Sequence, residues 1–388
     1  MYKVLTLNNI SVVGLERLPR NTYEVASEIM NPDAIMLRSF NMHDMNVPAS
    51  LKCVGRAGAG VNNIPVSKMT QLGIPVFNAP GANANAVKEL AIAGMLLASR
   101  NICQAWEFTK NLNESDAELN TQVEKGKKQF AGFELTGRTL GVIGLGAIGR
   151  ALANTALELG MKVVGFDPGI TVHGAWQLSS DVESAASVDD LLSRVDFVSF
   201  HVPLLDSTKD MINADRIKLM KKGATILNFA RGGIVSEDAV LAGLDSGKLN
   251  AYVCDFPSNK IKNHSKVISL PHLGASTEEA EDNCAVMVAD QLKDYLENGN
   301  IKNSVNFPDV KMPRADSCAR LTVVNMNVPN MVGQITTHLA NANLNIVDLI
   351  NKSKGEVAYT MIDVDGDVPK SVTESIASIQ GVLAVRSI

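Results

Sequence analysis

No stretch of this 388-residue chain stays apolar for the ~20 residues a bilayer requires. The longest such run, around Leu90 to Ala98, is short and broken by a glycine, so no membrane partner is expected. The opening MYKVLTLNN lacks a charged segment leading into an apolar core, so no secretory signal is expected. Basic excess is missing too. Lys and Arg number 36 against 41 Asp and Glu, a net charge of -5, which offers no footprint for nucleic acid. The five cysteines, Cys53, Cys103, Cys254, Cys284 and Cys318, form no CxxC pairs. That spacing argues against a disulfide framework or a metal site and fits reduced, buried thiols in a cytoplasmic protein. What is present is the balance of a soluble globular chain, 46% hydrophobic and 20% charged, long enough for two or three domains.

Short β-type runs alternate with helical stretches from Lys3 to Ala79, and helical spacing from Asn85 to about Lys110 predicts one long helix. A polar connector holding a helix follows, over 111–129. From Arg138 the rhythm is strand, helix, strand, through TLGVIG, KVVGFD, FVSFHVP, ATILNFA, LNAYVCDF and KVISLPH, which implies a parallel doubly wound sheet. A helix is expected from Thr277 to about Glu297, with Glu278, Glu279, Glu281 and Asp282 suiting its N-terminus. Gly299 to Pro313 has two prolines and no periodicity and reads as a linker and hinge. Beyond it the order of elements is β-α-β-β-α-β, the ferredoxin-like arrangement.

Gly144, Gly146 and Gly149 form G-x-G-x-x-G between an apolar strand and an amphipathic helix. The first glycine permits the tight turn, the second lets a pyrophosphate approach the backbone, and the third lets helix and strand pack closely. Phosphates would meet the first amides of the helix, around Ala147 and Ile148. Asp167 stands at the end of the next strand, where a carboxylate accepts ribose hydroxyls and repels a 2′-phosphate. The expected cofactor is NAD.

Three further stretches narrow the chemistry: Leu227 to Leu241, AYVCDFP at Ala251 to Pro257, and SLPHLGASTEEA at Ser269 to Ala280. Together with GLGAIGR they resemble the D-2-hydroxyacid dehydrogenase family, from near the N-terminus to about Pro308. The resemblance implies two Rossmann-like α/β domains with a cleft between them. The substrate domain would comprise 1–98 and 273–306, the NAD domain 99–272, and the ferredoxin-like domain 316–388. It assigns Arg231, in NFARGG, to the substrate carboxylate, which a planar guanidinium can hold by two-point contact. His272, in LPHLGAS, becomes the acid/base group, with a side chain that titrates near neutrality. Asp255 would hold the nicotinamide carboxamide; Pro203, Phe229, Ala230 and Gly274 complete the cofactor set. His201 is expected beside the adenine in a structural role, and His43, His173, His264 and His338 on surfaces or loops.

One departure stands out. The glutamate that the family pairs with its histidine falls here on Lys260, or on Asn259 if one residue is skipped. Either Glu278, Glu279 or Asp255 substitutes, or the histidine has a lower pKa. On the substrate side the resemblance assigns Arg38 and Ser39, the amides of Ala59 and Gly60, and Asn83. An arginine beside exposed amides suits a doubly anionic acid. The C-terminal unit resembles an ACT domain, with Asn327 and Asn345 as candidate contacts for an amino-acid effector, L-serine. Asn325 falls where the family has histidine, and Asn330 replaces a glycine at a position where left-handed backbone suits asparagine. The expectation is NAD-dependent oxidation of 3-phosphoglycerate to 3-phosphohydroxypyruvate by a homo-oligomer, dimer or tetramer. The rivals are a glyoxylate or hydroxypyruvate reductase and a nucleotide-sensing corepressor on the same fold.

Overall fold

The computed structural model describes residues 1–113, 115–314 and 318–388, so the expected start of the C-terminal domain at 316 lies outside the described residues. The chain divides into two compact units, Met1–Ala82 with Glu281–Ile388, and Asn83–Ala280.

The first unit opens with five parallel strands, β1 (Tyr2–Leu7), β2 (Tyr23–Ala26), β3 (Ala34–Leu37), β4 (Cys53–Arg56) and β5 (Val76–Phe77), ordered β2-β1-β3-β4-β5. All four residues of β3 are buried, as a central parallel strand covered on both faces requires.

The second unit holds a seven-stranded parallel sheet of β6 (Thr139–Ile143), β7 (Lys162–Phe166), β8 (Glu183–Ser184), β9 (Phe197–Phe200), β10 (Ala224–Asn228), β11 (Leu249–Cys254) and β12 (Val267–Ser269). Its order is β12-β11-β10-β9-β6-β7-β8. The chain reverses direction across the sheet between β6 and β9, and ligands of open α/β sheets bind at such switch points.

The expected helix 85–110 is two helices, Ala84–Ser99 and Ile102–Lys110. The break has a local cause. The Ser99 carbonyl accepts the Phe133 amide at 2.9 Å, and Asn101 lies in the left-handed region at φ 51°. The first of these helices belongs to the second unit, so the division falls at 82/83 rather than at the expected 98/99. Val87, Ala91, Met95 and Ala98 share a core with Leu140, Leu152 and Phe229.

The C-terminal strands β13 (Cys318–Met326), β14 (Ile346–Lys354), β15 (Val357–Asp365) and β16 (Val382–Ser387) make an antiparallel sheet ordered β14-β15-β13-β16. Helices Met331–Asn341 and Lys370–Ala377 complete the βαββαβ order. Strand β15 is buried on both faces. Ile362 and Val364 face the domain's own helices, whereas Val357, Tyr359 and Met361 join a core with Val4, Tyr23, Val288 and Leu292. Burying one such apolar side chain contributes about 1.5–3 kcal/mol.

The segment expected to be a hinge is fixed in place. Phe307 and Val310 are fully buried, and Ile301 bridges Val310. The Asn306 amide donates to Ile74 O and Thr70 Oγ1 while its oxygen accepts the Val76 amide. Proline and polar residues hid this role, because the stretch packs through side-chain hydrogen bonds rather than a periodic apolar face.

A buried ion pair joins the neighbouring strands β13 and β15. Arg320 donates from Nε and Nη2 to the two Asp363 oxygens, each at 2.7 Å, with both side chains essentially unexposed. Its remaining donors reach the carbonyls of Asn298, Met312 and Pro313 at 2.9–3.0 Å. Arg386 lies 4.5 Å over the Tyr295 ring and donates to Leu296 O.

Candidate functional site

Strand β6 is apolar and buried, and delivers the chain to Gly144 at φ 91°. A Cβ there would lie 2.6 Å from His201 O, so only glycine fits. A Cβ on Gly149, inside helix Ala147–Glu158, would lie 1.9 Å from Gly144 O, the close helix–strand approach expected of it. Gly146 is different: a Cβ there meets nothing within 4 Å, leaving open space over the start of the helix. Ala147 is exposed and Ile148 half-buried beside that space. Asp167 follows β7 and accepts the Leu145 amide on one oxygen and the Gly169 amide on the other, both at 2.8 Å. The carboxylate thus ties the glycine loop to the next strand, and each oxygen keeps a second lone pair.

The ends of β10, β11 and β12 bring a second group together. Asn228, buried at the end of β10, donates to Arg231 O at 2.9 Å and accepts the Ala230 amide, shaping the turn that exposes Arg231. Sequence reasoning passed over Asn228 although it lies within NFARGG. Phe229 is buried under the helix Ala84–Ser99. Asp255, 1% exposed, accepts the Gly274 amide at 3.1 Å on Oδ2, while Oδ1 is buried with no partner. Burial pushes this carboxyl above the usual carboxylate range, opposed by the Gly274 amide and by the charges of His272 and Arg231. His272 is exposed, left-handed at φ 39°, and its ring centroid lies 4.9 Å from that of Phe256. Its amide donates to Asp255 O at 3.0 Å.

Arg231, Asp255, His272 and Gly274 therefore gather at one edge of this unit. Lys260 is ion-paired to Asp238, and among the described residues no carboxylate, Glu278, Glu279 and Asp255 included, forms an ion pair with His272.

In the first unit, Arg38 is half-buried and pairs with Glu281 at 2.6 Å. Asn63 donates to Arg38 O and Phe40 O and accepts from Arg56 Nε, bracing the turn that carries Ser39. Ala59 is exposed, with its carbonyl accepting from Asn78. Asn83, assigned to the other unit, has a buried Oδ1 without a partner. Asn330 is left-handed at φ 66°, as its replacement of glycine requires. Asn327 and Asn345 are not brought together. One follows β13 and the other precedes β14, at opposite ends of nine-residue strands, roughly 25 Å apart at ~3.3 Å per residue.

Residues 95–276 match the family described as D-isomer specific 2-hydroxyacid dehydrogenase, NAD binding domain. The chain is 36% identical over 350 residues to a D-3-phosphoglycerate dehydrogenase of Methanocaldococcus jannaschii, covering 88% of this chain and 63% of that one. It is 33% identical over 350 residues to a D-3-phosphoglycerate dehydrogenase of Haemophilus influenzae, covering 87% and 81%. The chain belongs to the D-2-hydroxyacid dehydrogenase family.

Among solved structures, an NAD+-bound 3-phosphoglycerate dehydrogenase in Entamoeba histolytica is similar at a TM-score of 0.62 and 26% identity, covering 79% of this chain and 98% of that one. The chain spans 63% and 56% of the length of the first two curated relatives it matches.

As a D-2-hydroxyacid dehydrogenase the chain takes NAD, and its residues fit that group. The open space at Gly146 admits a pyrophosphate, and the orphaned Oδ1 of Asp255 can accept from a carboxamide. Gly146→Ala is accordingly expected to leave the melting temperature unchanged while weakening NADH binding roughly tenfold or more, read by fluorescence titration. Equal affinity would remove the loop from the cofactor site.

Behind this loop His201 shares a hydrogen bond with Ser199 Oγ at 3.0 Å, its Nδ1 buried and unpartnered. Burial pushes its pKa down to about 4. Between that value and the ordinary ~6.5 the unfolded chain binds a proton that the native state refuses, so stability falls as pH drops through this window. The slope is about 1.4 kcal/mol per pH unit, and urea midpoints between pH 7 and pH 4.5 are expected to fall less steeply in His201→Asn.

Proposed function

We propose that this dehydrogenase oxidises D-3-phosphoglycerate to 3-phosphohydroxypyruvate with NAD, the first step of L-serine biosynthesis. The observation carrying the proposal is the gathering of Arg231, Asp255 and His272 at one sheet edge. Relatives bearing the phosphoglycerate dehydrogenase name, at 33–36% identity, support the substrate.

Arg231 holds the substrate carboxylate through its planar fork, fixing the hydroxyl-bearing carbon. His272 takes the hydroxyl proton as general base and returns it in the reverse direction. Asp255 orients the carboxamide of the nicotinamide, whose ring accepts the hydride when NAD is bound. Arg38 and Ser39, the amides of Ala59 and Gly60, and Asn83 are assigned to the substrate's remaining polar groups. Arg38 must exchange Glu281 for that ligand, an accessible step because exposed pairs hold weakly.

The C-terminal domain is read as an ACT-type module taking L-serine, with Asn327 and Asn345 as its contacts. Because these stand at opposite ends of one sheet, a complete site requires a second copy, so a homo-oligomer is proposed. No helix among the described residues is long and apolar enough to cross a membrane, and a cytoplasmic location is proposed.

NADH formation with 3-phosphoglycerate, set against lactate, glycolate and glycerate, tests the substrate; adding L-serine tests the effector. Faster turnover of glyoxylate or hydroxypyruvate in reduction would replace this substrate with the reductase alternative.

A further inference from the structure

A cavity of about 760 Å³ lies in the first unit, between helix Glu278–Asn298, the turn at Gly81 and Ala82, and the paired segment around Ile301 and Val310. None of the residues assigned to substrate or cofactor lines it. Its wall holds Gln291, 7% exposed, whose Oε1 and Nε2 are both buried without a hydrogen-bond partner. A buried amide with both ends unsatisfied is rare in folded chains, and a bound molecule in the cavity is one explanation for such a group.

The charges of the wall point to the kind of occupant. Asp290 is engaged by Arg17 through two contacts, at 2.8 and 3.3 Å. Asp294 accepts the amides of Asn298 and Asn300 on one oxygen, at 2.8 and 2.9 Å. Lys302 and Lys311 also line the cavity, and among the described residues neither has a carboxylate partner. With Asp290 balanced by Arg17, the two lysines outweigh the one remaining carboxylate, Asp294, and the wall is positive in net, beside an amide with its donor and acceptor ends both free.

We propose that this cavity binds a small metabolite carrying an oxyanion, carboxylate or phosphate, and a hydroxyl or amide group. The oxyanion sits against Lys302 and Lys311, and the neutral group satisfies Gln291. The volume falls within the few hundred to ~1,000 Å³ usual for small-molecule sites, and the apolar wall at Val286 and Met287 matches their mixed lining.

Isothermal titration of the full chain with glycerol 3-phosphate and with malate, each carrying an oxyanion and a hydroxyl, at constant ionic strength, tests this and separates the two oxyanion sources. The variants are Lys302→Gln/Lys311→Gln and Gln291→Leu, and a melting curve checks that each folds. Binding weakened about tenfold or more by both variants, with NAD-dependent kcat unchanged, is the expected result. Equal heats in wild type and variants, or no heat with either anion, would overturn the site. So would subunit dissociation of the lysine variant without any anion heat, which would assign the cavity to contact between copies.

Discussion

His272→Asn is expected to lower kcat for NAD-dependent oxidation by on the order of 10²–10⁴-fold, with the melting temperature unchanged. Asparagine is the informative replacement because residue 272 sits at φ 39°, where asparagine is among the few residues that enter the left-handed region cheaply. The backbone bonds from the 272 amide to Asp255 O and Leu270 O, at 3.0 and 3.2 Å, can persist. What disappears is a ring nitrogen able to take and return a proton. The ring stands exposed beside Phe256, and among the described residues it forms no ion pair, so its loss breaks no salt bridge, and Arg231 still lends its charge to the buried Asp255. Activity retained within threefold would place the proton acceptor elsewhere. Glu278→Gln is the companion measurement: an unchanged pH profile of kcat/KM would discard it as the stand-in for the family glutamate.

Asp363→Ala is expected to cost the first unit about 3–5 kcal/mol, because it leaves the Arg320 guanidinium buried without a counter-charge. For a unit of this size, that loss lowers the melting temperature on the order of 10 °C. The argument rests on the environment rather than on the pair itself. Arg320 stays held by three backbone carbonyls that cannot neutralise it. Replacing both partners, Arg320→Met with Asp363→Leu, is expected to recover most of the stability, since a buried pair and an apolar pair of similar volume differ little. Additive losses in that double variant would show that Arg320 matters through its carbonyl contacts and not through Asp363.

Much of this architecture was legible in the sequence, for identifiable reasons. Parallel strands buried on both faces read as continuous apolar runs, and a glycine loop between strand and helix declares its geometry through φ and close approach. Hence β6, the loop at Gly144 and helix Ala147–Glu158 were placed nearly to the residue. The antiparallel C-terminal strands announced themselves by order and length.

What escaped was structure made by single hydrogen bonds. The break at Asn101 depends on Phe133 capturing one carbonyl from a distant turn, and no helical periodicity registers that. The ordered segment around Asn306 is held by amide contacts to residues some 230 positions away. In the candidate site, Arg231, Asp255 and His272 were named from motifs, whereas Asn228, which shapes the arginine turn, was overlooked as part of a strand. The histidine's missing carboxylate was noticed from the position the family resemblance assigns to it, and Lys260 paired to Asp238 accounts for that position without supplying a replacement.

Helix Glu278–Asn298 is gripped at both ends within one unit. Its last turn is clamped by Arg320 and Arg386 from the C-terminal domain, and its first turn holds Arg38 through Glu281. Twenty-one residues at 1.5 Å each make a rod of about 30 Å. Such a rod behaves as a lever arm: tilting the antiparallel sheet by about 3° would swing Glu281 by roughly 1.5 Å, the scale on which packed helices shift in allosteric proteins. An event at the far domain would thus reach Arg38 by displacement, with no change in the fold of either part.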